Sequence, residues 1–389
     1  MKVKLKTLSP LHIGGKEGII YPSEYVILNG RCYVINEERL SEKLYELGKL
    51  NMFLDDLKQL GKRFKIEMFL KGKNLLREDF LEDVSSYSSE CRVRVSPELR
   101  PFIRNAFSQA YIPGSSIKGV LRTSIMYVIL KTLNDSVRRR VLDNFVRGRL
   151  EKYNSDLRGR RGYTSFQERF KKRFAQPLDK DIFQKFTLKS SQRRYDAHSD
   201  ISRCLKVSDS VSINKDSLAV NEIKIYSARS NESPKRWSIF AECVPPNRSF
   251  EFGLTVDEGI LNDFVKMNRQ TRFGMSFADL SDILSDPLRA AQEMSADLFQ
   301  KEQEFFSQEL HLKSPMEFKE EKPNFRLGWG EGLLGTSMAM LLPVRLRQDL
   351  RNALFKDCGS TPAPKSRRVA MANGEIKTLG WCTVETEIK

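Results

Sequence analysis

The stretch "YIPGSSIKGVLRTS", Tyr111 to Ser124, decides how the rest of the chain is read. A proline, a glycine and two serines come first, and from Ser115 onward apolar residues recur at helical spacing through Ile117, Leu121, Ile125, Val128 and Leu133. The mixed segment before it, Phe102 to Ile112, reads as strand-like and stops at Pro113. The stretch is therefore expected to be a strand-to-helix junction, a place where backbone N–H groups can approach a phosphate. It is not a nucleoside-triphosphate loop. Such a loop needs its lysine directly after the second glycine, so that the ammonium reaches the β- and γ-phosphates. Gly114 and Gly119 have the spacing, but Lys118 precedes Gly119, and Val120-Leu121 follow it. Ser115 and Ser116 add hydroxyl donors, while Lys118 and Arg122 share one face of the first two turns. Two readings stay open: a grip for phosphates, or a packed turn with a serine helix cap.

A second glycine loop, "RLGWGEGLLGTS" from Arg326 to Ser337, also leads into a helical run. Its "GEGLLG" spells G-x-G-x-x-G, yet a dinucleotide site also requires a βαβ unit and an acid about 20 residues on. The segment before the loop is polar and contains proline, so the match is a coincidence.

Further out, "KVKLKTL" reads as a strand with one buried face, followed by the glycine turn "HIGGKEG". "EYVILNGRCYVI" places two β-rich runs around Asn29-Gly30, a strong hairpin signal. Asn36 can cap a helix over "EERLSEKLYEL"; a second helix follows over "MFLDDLKQLGKRF", and "SSECRVRVSP" reads as a strand. Beyond Arg194, "RCLKVSDSVSI", "NEIKIYSA", "WSIFAECV" and "RSFEFGLTV" are four strand candidates, the last two joined by the turn "VPPNR". Helical patterns follow over "GILNDFVKMN" and "DPLRAAQEMSADLFQKEQEFFSQEL". The expected fold is α+β. It divides into an N-terminal module over 1–134, a basic, mostly helical insertion over 135–195 and a C-terminal module over 196–389.

Sixty-six Lys and Arg against fifty Asp and Glu give a net charge of +16, which attracts polyanions. Half of that excess falls within 135–173, where thirteen basic residues meet five acids and Tyr153, Tyr163, Phe166 and Phe170 are interleaved. The run is either a solvated helical face or a surface on which bases stack between phosphate contacts. No run of about 18 apolar residues occurs, and the N-terminus lacks a signal-peptide core, so the expectation is a soluble cytoplasmic chain without a membrane partner. Six cysteines stand singly, which favours free thiols over zinc or disulfides. His12, His198 and His311 are isolated from one another, and no metal or cofactor set stands out.

Taken together, "TLSPLHIGG", "SEYVILNGRCYVI", "AYIPGSSIKGVLRTSI", "RCLKVSDS" and "RLGWGEGLLGTS" resemble the RAMP proteins of CRISPR systems. Their order and the chain length are similar to those of the fifth-subunit family of type III-A Csm effector complexes. The resemblance implies ferredoxin-like, RRM-type modules in a non-catalytic RNA-binding subunit. Such a subunit caps the backbone filament, holds the 3′ part of the CRISPR RNA and supports its maturation in antiviral defence. The implied partners are CRISPR RNA, the RAMP backbone subunit, the small helical Csm subunit, target RNA nearby and host maturation nucleases. By the same resemblance Ser115, Ser116, Lys118 and Arg122 meet guide-RNA phosphates, and Gly114 and Gly119 permit the close approach. His12, Gly14 and Gly15 shape the neighbouring RNA surface, and Gly328, Gly330, Gly332 and Gly335 form the glycine-rich element. The related backbone subunit cuts target RNA with an aspartate after its "HIGG"-type motif, whereas between His12 and the hairpin this chain has only Glu17 and Glu24. A non-cleaving role is therefore expected. The rival reading is a metal-independent endoribonuclease processing precursor CRISPR RNA, with His12 in acid–base catalysis.

Overall fold

In β1, Lys2–Thr7, the alternation of charged and apolar residues becomes alternate burial: Val3 and Leu5 are fully buried while Lys2 and Lys4 face solvent. The computed structural model describes residues 1–15, 18–157, 163–184, 186, 199–214, 217–228, 234–268, 273–312, 317–318, 321–355, 359–372 and 375–386. β2 (Tyr25–Leu28) and β3 (Arg31–Ile35) form the expected hairpin, with Asn29 at φ 49° and Gly30 at φ 77°, both left-handed as a two-residue turn of this kind requires. Asn36 caps the helix Glu37–Glu46, its Oδ1 accepting from the Arg39 amide at 3.0 Å.

The remaining strands are β4 (Ser85–Glu90), β5 (Leu99–Arg100), β6 (Leu205–Val207), β7 (Ala219–Ser227), β8 (Ile239–Cys243) and β9 (Ser249–Val256). Near the C-terminus follow β10 (Phe325–Arg326), β11 (Ser366–Ala372), β12 (Glu375–Thr378) and β13 (Trp381–Thr386). One sheet runs β10-β13-β1-β9-β6 and is antiparallel throughout. The other runs β12-β11-β7-β4-β3-β2, with β8 paired to β7 and β5 to β8. Both sheets draw on both halves of the sequence. β1 lies between β9 and β13, and β7 pairs with β8 along its first half and β11 along its second.

The helix Gly114–Thr132 starts one residue before its anticipated position and runs through the centre. Its early turns bury one side only, through Ile117 and Leu121; from Ser124 to Leu130 every residue is buried, as expected of a helix enclosed by its neighbours. It packs against the helix Pro287–Glu304, where Lys131 bridges Glu293 at 2.9 Å and Asp297 at 2.5 Å.

Several expected strands are shorter or absent. Phe102–Ile112 is a loop closed by an Arg104–Ala110 bridge, because Asn105 Oδ1 accepts from the Phe107 and Gln109 amides and fixes a turn between them. The "SSECRVRVSP" strand ends at Glu90, where the Cys91 amide turns back to the Gly30 carbonyl at 2.7 Å. In "RCLKVSDSVSI" only Leu205–Val207 is strand, since the serines that follow bond to other segments.

The basic segment forms the helices Asp135–Leu157 and Tyr163–Lys172. Tyr153 and Phe170 are buried in the main core, with centroids 4.7 Å apart, and Phe166 packs on both. These rings therefore hold the helices to the body and are not available to stack bases. The side chain of Tyr163 lies outside the described residues, as do His198 and Cys358. The five described cysteines are buried free thiols.

Candidate nucleic-acid interface

The central helix begins against the chain leaving β6. The Gly114 amide donates to Asp209 Oδ1 at 2.7 Å, Ser208 Oγ accepts from the Gly253 amide at 2.8 Å, and Ser210 Oγ accepts from the Ile112 amide at 2.9 Å. A Cβ on Gly114 would lie 2.6 Å from the carbonyl oxygens of both Val207 and Ser208. Gly114 is thus a glycine because two backbones touch there. The anion at this helix N-terminus is the chain's own Asp209 carboxylate. Gly119 differs: it is exposed, and nothing lies within 4 Å of where its Cβ would be.

Successive residues of the first turns face two clefts. Ser115 and Lys118 line one of about 690 Å³ together with Arg203, Leu205 and Lys206. Lys118 Nζ donates to the Leu205 carbonyl at 2.7 Å, which leaves two of its three N–H bonds for another acceptor. Partial burial draws its pKa below the usual lysine value, against the pull of Asp200. Ser116, Gly119 and Thr123 line the second cleft, of about 360 Å³, whose other walls are Ile13-Gly14 and the loop Leu327–Trp329 with Glu331, Gly335 and Thr336. Three separate motifs meet in this second cleft. Lys206 and Asp209 lie in "RCLKVSDS", a motif to which the sequence assigns no role, while Thr123, Trp329 and Thr336 lie inside the two glycine stretches without being singled out there.

The N-terminal loop and the second glycine loop interlock. Gly328, at φ 95°, brings its backbone so near that a Cβ would be 2.5 Å from the His12 carbonyl oxygen, and that oxygen accepts from the Trp329 amide at 2.8 Å. Gly330, at φ 108°, rests against Leu379, while Gly332, at φ 70°, is exposed and open. Gly335 packs on Glu331, Gly15 on Ile103, and Gly14 bridges to Phe102.

His12 is 2 % exposed, donates from Nδ1 to the Glu242 carbonyl at 2.7 Å, and meets the rings of Trp329 and Phe102 edge-on. Burial holds its pKa low, although Glu242 pulls it upward. An enclosed, neutral imidazole of this kind positions a loop; acid–base catalysis on RNA needs a ring that reaches the substrate. Beside it the Glu242 carboxylate, fully buried, accepts from Ser89 Oγ, the Phe102 amide at 2.8 Å and Arg104 at 3.2 Å, and Arg104 lies 3.3 Å over the Tyr87 ring.

Arg122, expected beside Lys118, turns inward. It pairs with Asp179 through two bonds of 2.9 and 3.0 Å and with Asp200 at 2.9 Å, donates to Ser202 Oγ, and lies 4.0 Å over the Phe183 ring. Burial raises the Asp200 pKa, but the Arg122 bond and charge outweigh it and leave the carboxyl below its ordinary value. A depressed carboxyl stabilises the fold above its unfolded pKa of about 3.9 and loses that contribution as pH falls through the folded value. Arg122→Met should therefore cost about 2–3 kcal/mol at pH 7 in urea unfolding. The gap to the wild type should narrow below about pH 4; an undiminished gap at pH 2 would assign the loss to packing on Phe183 alone.

These three interlocked motifs on an α+β frame define a class. A sequence model of the RAMP superfamily matches residues 4–328, and the chain belongs to that superfamily. Within it, the chain is similar to two proteins described as "CRISPR system Cms protein Csm5". The one from Streptococcus thermophilus is 25 % identical over 267 residues, covering 65 % of this chain and 63 % of the relative. The one from Enterococcus italicus is 29 % identical over 145 residues, covering 31 % and 41 %. The matches thus span less than two thirds of either relative's length. Among solved structures, a chain of the cryo-EM structure of a Csm-crRNA-target RNA ternary complex in a type III-A CRISPR-Cas system superposes with a TM-score of 0.71 at 25 % identity, covering 99 % of this chain and 100 % of that one. The crystal structure of T. onnurineus Csm5 superposes with a TM-score of 0.62 at 22 % identity, covering 98 % and 99 %. Among the described residues no helix is long and apolar enough to cross a membrane.

Proposed function

We propose that this chain is a non-catalytic, CRISPR RNA-binding subunit of a type III-A Csm complex that grips the guide by its sugar–phosphate backbone. The observation that carries the reading is the cleft in which Gly14, Ser116, Gly119 and the Gly328–Thr336 loop converge, next to a basic cleft holding Ser115, Lys118 and Lys206. Hydroxyls, an ammonium and an unobstructed glycine suit phosphates and read no base, which a subunit serving many spacer sequences requires. The full-length likeness to a chain of a Csm-crRNA-target RNA complex supports the same assignment. In this reading Ser115, Ser116 and Lys118 contact phosphates of the 3′ part of the guide and Gly119 allows close approach. Arg122 holds the helix that presents them. The subunit caps the filament beside the RAMP backbone subunit and the small helical subunit, in the cytoplasm, with target RNA close by and maturation nucleases as further partners.

Lys118→Ala is expected to weaken guide-RNA binding severalfold and to flatten its logarithmic salt dependence by about 0.7. The wild type should bind guides of different spacer sequence equally. Filter binding across a salt series checks both; an unchanged slope, or strong spacer preference, would overturn the phosphate role. Incubation of the purified protein with repeat RNA in EDTA should give no cleavage products, and products lost in His12→Ala would establish the endoribonuclease instead.

A further inference from the structure

We infer that Arg100 and Arg368, held against Trp329, form a second phosphate clamp that takes the RNA backbone where it leaves the cleft; this rests on the RNA-binding reading above. Strand register builds the arrangement. Arg100 on β5 pairs with Ala241 on β8, and Arg368 on β11 pairs with Ile225 on β7, with Ile223 pairing both Ile239 on β8 and Ala370 on β11. Because alternate strand residues share a face, both arginines rise from the side of the sheet that carries Ile223, Ala241 and Ala370. Trp329 packs on that same apolar bed and at the same time forms part of the cleft wall.

Both guanidiniums engage this one indole, Arg100 at 5.2 Å and Arg368 at 4.6 Å from a ring centroid. Ring attraction holds the two cations in place, yet they repel each other. Burial, and after it the neighbouring charge of Arg100, draws the Arg368 pKa below its ordinary value. Among the described residues neither arginine has a carboxylate within ion-pair distance, and Arg368 Nε is buried without a hydrogen-bond partner. The contrast with nearby arginines is direct: Arg104 is paired to Glu242 at 3.2 Å and Arg367 to Glu302 at 2.5 Å. Neither arginine of the pair has the acid that fixes Arg104 and Arg367. What the pair lacks is an anion, and a phosphodiester accepts charged hydrogen bonds from two guanidinium forks at once. Trp329 acts as a positioning residue, its ring occupied by cations and not open to a base.

The test uses the full-length protein and a guide-length RNA. Arg100→Gln and Arg368→Gln are each expected to flatten the salt slope by about 0.7 and together by about 1.4, whereas Arg100→Lys with Arg368→Lys retains the slope. Thermal unfolding of the Gln variants should change little, since the lost ring attraction and the relieved repulsion offset each other; a large fall in midpoint together with an unchanged salt slope would mark the arginines as structural and overturn the clamp. A double Gln variant that binds RNA with wild-type affinity and slope, in a series where Lys118→Ala weakens binding, would sink the clamp and leave the RNA-binding function standing. Failure of the wild type to bind RNA at all would remove both. Unaltered RNA binding with loss of a copurifying protein subunit would assign the pair to an acidic protein partner and overturn the proposal.

Discussion

Glu242→Ala should cost about 3–5 kcal/mol of folding stability, the largest single effect expected in this protein. The carboxylate is inaccessible and the Arg104 side chain is only 3 % exposed, so the variant strands a buried guanidinium. It also removes the acceptor of the Phe102 amide and of Ser89 Oγ. Each stranded donor adds its own desolvation penalty. Urea unfolding should show a large fall in midpoint. Glu242→Leu combined with Arg104→Leu should recover much of it, because a buried ion pair replaced on both sides by apolar groups is often close to neutral. A loss below about 1 kcal/mol in the single variant would mean that water reaches Arg104 and that the network is not the buried tie it is taken to be. RNA binding should fall along with stability, since the variant frees the side-chain ties of the strand whose Glu242 backbone carbonyl holds His12, and the His12 carbonyl in turn holds Trp329.

Gly114→Ala is the second large effect, expected at about 1–3 kcal/mol. The added methyl would meet two carbonyl oxygens at 2.6 Å, and these belong to backbone, which cannot rotate away. The helix start must shift, which strains the bond from the Gly114 amide to Asp209 and displaces Ser115 and Ser116. Gly119→Ala separates fold from function within the same motif. With open space at that position and a helical backbone, the substitution should stabilise by about 0.5–1 kcal/mol. It also places a methyl in the cleft, so RNA affinity should fall as thermal stability rises. Equal affinity for Gly119→Ala and the wild type would show that no phosphate comes near that backbone.

The same pair of glycines explains what the sequence could and could not convey. Both permit a close approach, and the letter does not say by what: at Gly114 it is the chain's own β6 exit, at Gly119 it is open space. The Asn29-Gly30 hairpin was legible because its chemistry is local. The acid partners of Arg122 are not legible in the sequence because they lie 57 and 78 residues away, and helical spacing alone places it beside Lys118. Likewise nothing local ties Arg104 to Glu242, 138 residues on. Phe166 and Phe170, four apart on an amphipathic helix, did carry a core signal that the surrounding charge obscured. The pairing of β11 with β12 carries the same local signal as the first hairpin, since Asn373-Gly374 lies between its strands in the sequence.

The position of β1 between β9 and β13 has a consequence for synthesis. The Trp381 amide bonds to Ser9 Oγ across 372 residues, and the first strand gains its second neighbour only when β13 has emerged from the ribosome. At 5–20 residues per second that wait is on the order of tens of seconds. Throughout it β1 has at most β9 beside it and keeps one edge unpaired. Long-range closure of this kind makes folding slow and the nascent chain adhesive. Early association with RNA or with a neighbouring subunit would shield that edge, so the order in which a complex is assembled and the order in which this chain folds are coupled through its first strand.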